Sequence, residues 1–292
     1  MKAFVFPGQG SQYPAMGKEL YNNSTAAKEL FERANDILGF RITDIMFDGT
    51  TEELRLTNVT QPAVFLHSTI LAKMLGITPD AVAGHSLGEF SALVTSGAIE
   101  FEDGLRLVSK RAAAMQRACQ EQAGTMAAIL GLSNDKIETI CAMCNGIVVT
   151  ANYNCPGQTV ISGSVEAVNE ACQRLKEAGA RRAITLAVGG AFHSPLMQSA
   201  REELEQAIAQ VEFITPLCPI YQNVDALPYT DPQKIKENLI DQLTSPVLWE
   251  QSVNNMIANG ITSFTEVGCG TVLRGLISKC SSNVEAESIS YL

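Results

Sequence analysis

Ala81-Val82-Ala83-Gly84-His85-Ser86-Leu87-Gly88 is the stretch of sequence that decides the fold. Three apolar residues typical of a buried strand lead into the pattern Gly-x-Ser-x-Gly, and a helical run from Glu89 to Gly97 follows. A serine between two glycines at a strand-to-helix turn is the pattern of a nucleophile elbow, in which the serine oxygen projects from the sheet edge. The backbone N–H of Leu87 would then face a developing oxyanion at the positive end of the helix. An ordinary tight turn is the alternative interpretation of so short a motif.

Two further junctions have the same form. Phe4-Val5-Phe6 leads into Pro7-Gly8-Gln9-Gly10-Ser11, and Phe264-Thr265-Glu266-Val267 leads into Gly268-Cys269-Gly270-Thr271. Strands that alternate with helices predict a parallel sheet, whose strand-to-helix turns all lie at its carboxyl edge. We therefore expect the three glycine turns to converge on one site, with Gln9 supplying the second oxyanion donor. A dinucleotide fingerprint would need glycine where Tyr13 stands, so nucleotide binding is not predicted.

The middle of the chain has a different pattern. Two amphipathic helices separate four predicted strands, and these strands are Met126–Leu130, Ile147–Thr150, Thr159–Ile161 and Ala183–Leu186. The order βαββαβ is typical of a ferredoxin-like unit. The predicted fold class is therefore α/β, with a large α/β-hydrolase-like domain (residues 1–122 and 190–292) that contains a parallel sheet. A small ferredoxin-like subdomain (residues 123–189) is inserted into it, and a cleft is expected between the two.

Composition excludes several classes of function. The 292 residues include 31 acidic and 21 basic side chains, a net charge of −10, and no basic stripe that would bind nucleic acid. No apolar run approaches the roughly 20 residues of a membrane span, and we expect a cytoplasmic monomer.

Cys141 and Cys144 share a helical stripe with Ile137 and Ile140, which predicts reduced thiols in a core rather than a metal site.

An elbow serine needs a base, and the chain has three histidines. His67 lies in an apolar helix, and His85 is adjacent to the serine in an extended turn, so its ring should point away from the serine oxygen. His193 lies in a loop before Ser194-Pro195, a predicted helix start. Such a loop can direct an imidazole into a cleft, where the helix's positive end keeps it neutral. His193 is therefore the predicted base, although a loop histidine alone is more often a surface residue.

Arg111 lies in the middle of an apolar helical face formed by Leu107, Val108, Ala114, Met115 and Ala118. A guanidinium in such a stripe cannot lose its charge and needs an anion. An internal Asp or Glu is one candidate partner. The other is a free carboxylate of the substrate, held by a bidentate pair.

Taken together, these motifs resemble the malonyl-CoA:acyl-carrier-protein transacylase family over nearly the whole chain. The segments that carry the resemblance are Phe6-Pro7-Gly8-Gln9-Gly10-Ser11-Gln12, Thr60-Gln61-Pro62-Ala63, Gly84-His85-Ser86-Leu87-Gly88-Glu89, Arg111 with Met115-Gln116, Ala151-Asn152-Tyr153-Asn154 with Pro156-Gly157-Gln158, Ala191-Phe192-His193-Ser194-Pro195, and Ser245-Pro246-Val247 with Trp249.

The resemblance implies a role for each matching residue. It implies Ser86 as nucleophile, His193 as base, the backbone N–H groups of Gln9 and Leu87 as oxyanion donors, and Arg111 as the partner of the malonyl carboxylate. It also implies that the Gln242 carbonyl orients the histidine in place of a triad acid, and that Gln61, Phe192, His85 and Asn154 bind substrate. Phe192 matches the malonyl-selective branch of the family.

The implied reaction moves malonyl from malonyl-CoA to Ser86 and then to the phosphopantetheine thiol of acyl carrier protein, with no metal or other cofactor. A serine hydrolase or thioesterase would use the same elbow, and only exclusion of water separates it from a transferase. A non-catalytic module that binds an acyl carrier or CoA is the third alternative.

Overall fold

The computed structural model describes residues 1–291 as an α/β protein with two separate sheets. The strands are β1 (Lys2–Phe6), β2 (Ala81–Gly84), β3 (Gly124–Leu130), β4 (Val148–Cys155), β5 (Gln158–Ser164), β6 (Arg182–Thr185), β7 (Ile220–Tyr221), β8 (Pro228–Tyr229), β9 (Ser263–Val267) and β10 (Glu285–Ile289). The helices are α1 (Lys18–Asn23), α2 (Thr25–Leu38), α3 (Ile42–Asp48), α4 (Thr51–Leu54), α5 (Thr57–Leu75), α6 (Gly88–Thr95), α7 (Phe101–Glu121), α8 (Asn134–Ala142), α9 (Val165–Glu177), α10 (Gln198–Ile208), α11 (Pro232–Asp241), α12 (Trp249–Ala258) and α13 (Val272–Cys280). A 3₁₀ turn over Pro195–Met197 precedes α10.

The larger sheet has the strand order β10-β9-β1-β2-β7-β8. Its pairs are parallel, as predicted, except that the short edge strand β8 runs antiparallel to β7. The central strand β2 is buried along its whole length because helices cover both faces of the sheet. Within residues 1–291, no helix combines the length and apolar character that a membrane crossing requires.

The smaller sheet is antiparallel, with the strand order β4-β5-β3-β6, and α8 and α9 pack on it around their own apolar core. Strand β4 extends to Cys155, well past the predicted end at Thr150. The polar side chains of Asn152 and Asn154 concealed this extension from the sequence pattern. They are buried and face a cavity instead of solvent.

The prediction that Cys141 and Cys144 lie on one helical stripe is wrong for Cys144, although its side chain still packs against the same core. Cys141 is buried in the core of the smaller sheet, as predicted, but α8 ends at Ala142 and Cys144 lies beyond the helix, only partly buried. The chain turns there through Gly146, whose φ is 90°, so the helical spacing does not continue. All eight cysteines are free thiols.

The elbow between β2 and α6 depends on two glycines. A Cβ on Gly84 would lie 1.9 Å from the carbonyl carbon of Gly88, and a Cβ on Gly88 would lie 2.0 Å from the carbonyl oxygen of Phe6. Both clashes are with backbone atoms, which cannot rotate away. The absence of side chains at these positions therefore lets α6 start directly against β1 and β2.

Gly88→Ala should lower the free energy of unfolding by at least about 1–3 kcal/mol, the usual cost of forcing extra volume into a packed region. Gly275→Ala is the matched control. Gly275 is an exposed residue of α13, and no atom lies within 4 Å of the position that a Cβ would take there. Alanine at this position should stabilise the helix by about 0.5–1 kcal/mol. Urea unfolding of the three proteins measures both effects. Equal midpoints for wild type and Gly88→Ala would contradict the packing argument.

Candidate active site

Ser86 adopts the strained backbone of an elbow. Its φ is 52°, in the left-handed backbone region that residues other than Gly, Asn, Asp and His rarely occupy. The turn directs Ser86 Oγ toward His193, and Oγ lies 2.7 Å from the His193 Nε2. The elbow predicted from Gly-x-Ser-x-Gly is therefore present, and its serine has the predicted imidazole as its partner.

His193 is held in a second strained position. Its φ is 57°, and the following Ser194 caps the 3₁₀ turn by accepting a hydrogen bond from the N–H of Leu196. The His193 Nδ1 donates to the carbonyl oxygens of Gln242, at 2.9 Å, and Ser245, at 3.2 Å. Two carbonyl acceptors fix the proton on Nδ1, so Nε2 is free to accept the Ser86 hydroxyl proton.

The environment of His193 favours the neutral imidazole. Burial lowers its pKa to about 3, and the positive charge of Arg111 lowers the pKa in the same direction. The imidazole is therefore deprotonated across the physiological range. The neighbouring groups that oppose protonation are Arg111 and, to a smaller extent, His85. The predicted helix start is a capped 3₁₀ turn of three residues that leads into α10.

Arg111 lies on the buried face of α7, as the sequence predicts, and is 1 % exposed. Its Nη1 donates to Gln61 Oε1 at 2.8 Å, and its Nη2 donates to Ser86 Oγ at 3.0 Å and Gln242 Oε1 at 3.2 Å. The guanidinium also stands over the ring of Phe90, 5.7 Å from its centroid. Burial lowers the pKa of Arg111 to about 10, which leaves it charged at neutral pH.

No Asp or Glu forms an ion pair with Arg111 among residues 1–291. Its partners are neutral amides, a hydroxyl and an aromatic ring. The internal carboxylate partner that the sequence left open is therefore not observed in this part of the chain. The buried carboxyl of Glu89 does act on Arg111 through its charge and raises the Arg111 pKa, but it makes no direct contact. The remaining candidate for a direct partner is an anion that arrives with the substrate.

Gln242 contacts Ser86, His193 and Arg111. Its carbonyl accepts from His193, its side-chain Oε1 accepts from Arg111, and its Nε2 donates to the carbonyl oxygen of Ser86 at 3.0 Å. The sequence implied only the carbonyl contact. The two side-chain contacts were missed, because nothing in the pattern around residue 242 indicates a buried amide.

Two of the three glycine turns meet at one cavity of about 260 Å³, and the third packs against the first without lining the cavity. Its wall includes the first turn (Pro7–Ser11), the second turn (His85–Leu87) and the start of α13 after the third turn. The third turn supports the first, because Ser11 Oγ lies 3.2 Å from Cys269 Sγ. Within the described residues, the N–H groups of Gln9 and Leu87 take part in no hydrogen bond. Both therefore remain available to an oxyanion in the cavity.

The other predicted substrate-binding residues also lie at this cavity or behind it. His85 Nε2 pairs with Asn154 Oδ1 at 2.9 Å, so the His85 ring points away from Ser86, as expected, and both residues line the cavity. Phe192 lines it beside the histidine, and Gln61 is buried behind it on Arg111. His67 lies away from the site, buried in α5, with its Nε2 on the Ser290 carbonyl.

Asn223 was not predicted from the sequence. Its Oδ1 accepts the N–H of Ser86 and its Nδ2 donates to the carbonyl of Gly84, both at 2.7 Å. It lies two residues past the end of β7, at the carboxyl edge of the sheet where polar residues reach the site, but a strand of two residues leaves no pattern in the sequence that would have marked it.

A serine paired with a neutral imidazole, beside unpaired backbone N–H groups, is the arrangement of enzymes that form acyl-serine intermediates. The family profile of the acyl transferase domain matches residues 3–289, and the chain belongs to this family.

Individual relatives are similar over nearly the full length. A malonyl CoA-acyl carrier protein transacylase of Bacillus subtilis is 44 % identical, with 99 % of this chain and 93 % of the relative covered. The solved acyl carrier protein S-malonyltransferase of Vibrio cholerae is 40 % identical, with a TM-score of 0.96 and coverage of 100 % and 97 %. A malonyl-transacylase solved in complex with its type II PKS acyl-carrier protein is 37 % identical, with a TM-score of 0.96 and coverage of 100 % and 96 %.

Arg111→Met should raise the pKa of His193, because a nearby positive charge opposes protonation of the imidazole and methionine removes that charge. The rate at which a neutral serine reagent such as phenylmethylsulfonyl fluoride labels Ser86 reports the free base. In wild type this rate should stay level from pH 8 to pH 5, and in Arg111→Met the decline on acidification should move to higher pH.

Arg106→Met is the control, because Arg106 lies on the exposed face of the same helix in an ion pair with Asp103. Its labelling profile should match wild type. A wild-type rate that halves near pH 6.5, the value of an ordinary histidine, would contradict the neutral buried base.

Proposed function

We propose that this chain is an [acyl-carrier-protein] S-malonyltransferase, which transfers the malonyl group of malonyl-CoA to the phosphopantetheine thiol of acyl carrier protein. The observation that carries the proposal is the position of Ser86 Oγ, 2.7 Å from a neutral imidazole and 3.0 Å from a buried guanidinium that has no carboxylate partner among the described residues. The first contact suits acyl transfer, and the second suits an acyl group that carries its own carboxylate.

In the first half-reaction, His193 Nε2 takes the hydroxyl proton as Ser86 Oγ attacks the thioester carbon of malonyl-CoA. The tetrahedral oxyanion is stabilised by the N–H groups of Gln9 and Leu87. When the C–S bond breaks, the imidazolium returns its proton to the CoA thiolate, and a malonyl ester remains on Ser86. The backbone carbonyls of Gln242 and Ser245 on Nδ1 hold the ring in one orientation throughout.

In the second half-reaction, the phosphopantetheine thiol of the carrier protein takes the place of CoA. His193 removes the thiol proton, the thiolate attacks the ester carbon, and the proton is returned to Ser86 Oγ as the ester bond breaks. The same groups act in both directions because the two half-reactions are chemically equivalent. A carrier protein is the acceptor in the solved complex of the relative described above.

Arg111 is proposed to select the acyl group. A malonyl carboxylate would pair with its guanidinium and take the place of the Nη2 contacts with Ser86 and Gln242, while Gln61 keeps its contact with Nη1. Phe192 is 7 % exposed and occupies space beside His193 that an α-methyl branch would need. His85 and Asn154 are proposed to contact the acyl chain or the pantetheine arm from the opposite wall.

We further propose that residues 123–189 form a ferredoxin-like subdomain inserted in an α/β-hydrolase-like domain of residues 1–122 and 190–292, of which Leu292 lies outside the described residues. Support comes from the antiparallel order β4-β5-β3-β6 and from the separate core of this unit. Met126, Val160 and Leu186 give it one wall of the cavity. The cytoplasmic location and the monomeric state stay predictions, the second checked by light scattering.

Incubation with malonyl-CoA should add one malonyl group to the intact mass of the protein, on Ser86. The adduct should persist until acyl carrier protein is added and then move to the carrier, since the apolar cavity wall limits access of water. Ser86→Ala should show no adduct. Ser91→Ala, which changes a buried serine of α6 outside the cavity lining, should behave as wild type. Release of free malonate without an adduct would indicate a hydrolase and contradict the proposal.

A further inference from the structure

Glu89 is a buried charged group that the proposed chemistry does not use. It lies on the first turn of α6, three residues after Ser86, and is fully buried. Among the described residues it has no ion pair with Lys, Arg or His. Burial raises its pKa to about 7. A carboxyl group in such surroundings is costly to the fold, and its hydrogen bonds indicate why it is there.

Both carboxylate oxygens of Glu89 bind the segment that follows β7. Its Oε2 accepts the backbone N–H of Asn223 at 2.9 Å, and its Oε1 accepts from Gln222 Nε2 at 2.9 Å. Gln222 is anchored in turn, because its Nε2 also donates to the carbonyl of Ile235. Glu89 therefore fixes the backbone of residue 223 relative to the helix that starts at the elbow.

The side chain of Asn223 connects this fixed segment to the backbone around Ser86. Its Oδ1 accepts the N–H of Ser86 and its Nδ2 donates to the carbonyl of Gly84, so one amide binds the turn on both sides of His85. The N–H it holds belongs to the residue with the left-handed φ of 52°. A backbone in that region persists only where its surroundings hold it, and the Asn223 amide is the side chain that binds the Ser86 N–H.

We propose that Glu89 and Asn223 act as a pair of positioning residues that keep Ser86 in the elbow conformation. Asn223 binds the Ser86 backbone directly, and Glu89 acts through Asn223. Neither residue lines the cavity or touches the reacting atoms, so the proposed effect is on the orientation of Oγ toward His193. Glu89 also interacts with Gln242 and with the charge of Arg111, and the double variant described below separates this second route from the one through Asn223. The inference rests on the proposed role of Ser86 as nucleophile.

Asn223→Ala should slow the formation of malonyl-Ser86 about 10²-fold at saturating malonyl-CoA, the scale of loss for a small displacement of a reacting group. The malonyl-CoA concentration that gives half the maximal rate should change by less than about threefold, because Arg111 and the cavity wall are unchanged. Rapid-quench mass measurement of the acyl-enzyme gives both values.

Asn35→Ala is the matched control. Asn35 is also a buried asparagine with an accepting and a donating hydrogen bond, in this case with Thr43, but it lies on α2, outside the cavity lining. It should lose stability in urea unfolding and keep the wild-type acylation rate. Equal rates for Asn223→Ala and Asn35→Ala would overturn the proposal and leave Asn223 a structural residue.

Glu89→Gln tests the other half of the pair with a side chain of the same size. A glutamine has an NH₂ group in place of one carboxylate oxygen, and this NH₂ would face the N–H of Asn223 or the NH₂ of Gln222, which are both donors. Asn223 should therefore shift, and acylation should slow at least tenfold. The double variant Glu89→Gln/Asn223→Ala should be no slower than Asn223→Ala alone. If the rate losses of the two single variants multiply in the double variant, Glu89 acts by a route other than Asn223, and its assignment as a positioning residue is overturned.

A neutral serine reagent separates this inference from the proposed substrate. Phenylmethylsulfonyl fluoride carries no carboxylate, so its labelling of Ser86 depends on the elbow and not on malonyl recognition. Labelling should slow in Asn223→Ala by the same factor as malonyl transfer. If wild type and Asn223→Ala are labelled equally fast, the positioning role is wrong although Ser86 stays the nucleophile. If wild-type Ser86 is not labelled, the nucleophile assignment fails and the positioning role fails with it.

Discussion

The buried positive charge of Arg111 is the constraint on which the rest of the site depends. A guanidinium removed from water is costly, and no carboxylate within residues 1–291 offsets that cost through an ion pair. Two amide oxygens, the Ser86 hydroxyl and the face of Phe90 solvate it instead. Its direct partners are neutral, and the buried carboxyl of Glu89 acts on the charge without forming an ion pair with it. We therefore propose that the guanidinium binds an anionic acyl group.

The same charge organises the residues around it. It lowers the pKa of His193, and it holds the oxygen of Ser86 at hydrogen-bond distance from the imidazole. Gln242 connects these groups, because one residue contacts Arg111, His193 and the backbone of Ser86. Under the proposed function, recognition of the acyl group and activation of the serine are parts of one hydrogen-bond network, so a change to one of these residues should alter the others.

The sequence predicted those features that have a local signature. Gly-x-Ser-x-Gly after a strand placed Ser86, the helical periodicity around residue 111 placed Arg111 on a buried face, and the glycine turns predicted a common site. Asn223 and the side chain of Gln242 had no such signature. Their contacts with Ser86 span 137 and 156 residues of chain, and only the packed sheet brings them together. The full length of β4 was also missed, because its asparagines face a cavity and break the alternation that marks a strand.

Transfer of malonyl compared with acetyl in Arg111→Ala measures the central claim most directly. Loss of a charged, desolvated partner should reduce kcat/KM for malonyl-CoA relative to acetyl-CoA by an amount equivalent to about 2–5 kcal/mol. Acetyl transfer should be much less affected, because an acetyl group has no carboxylate to lose. A fall of the same size with both donors would contradict the account and make Arg111 a structural residue.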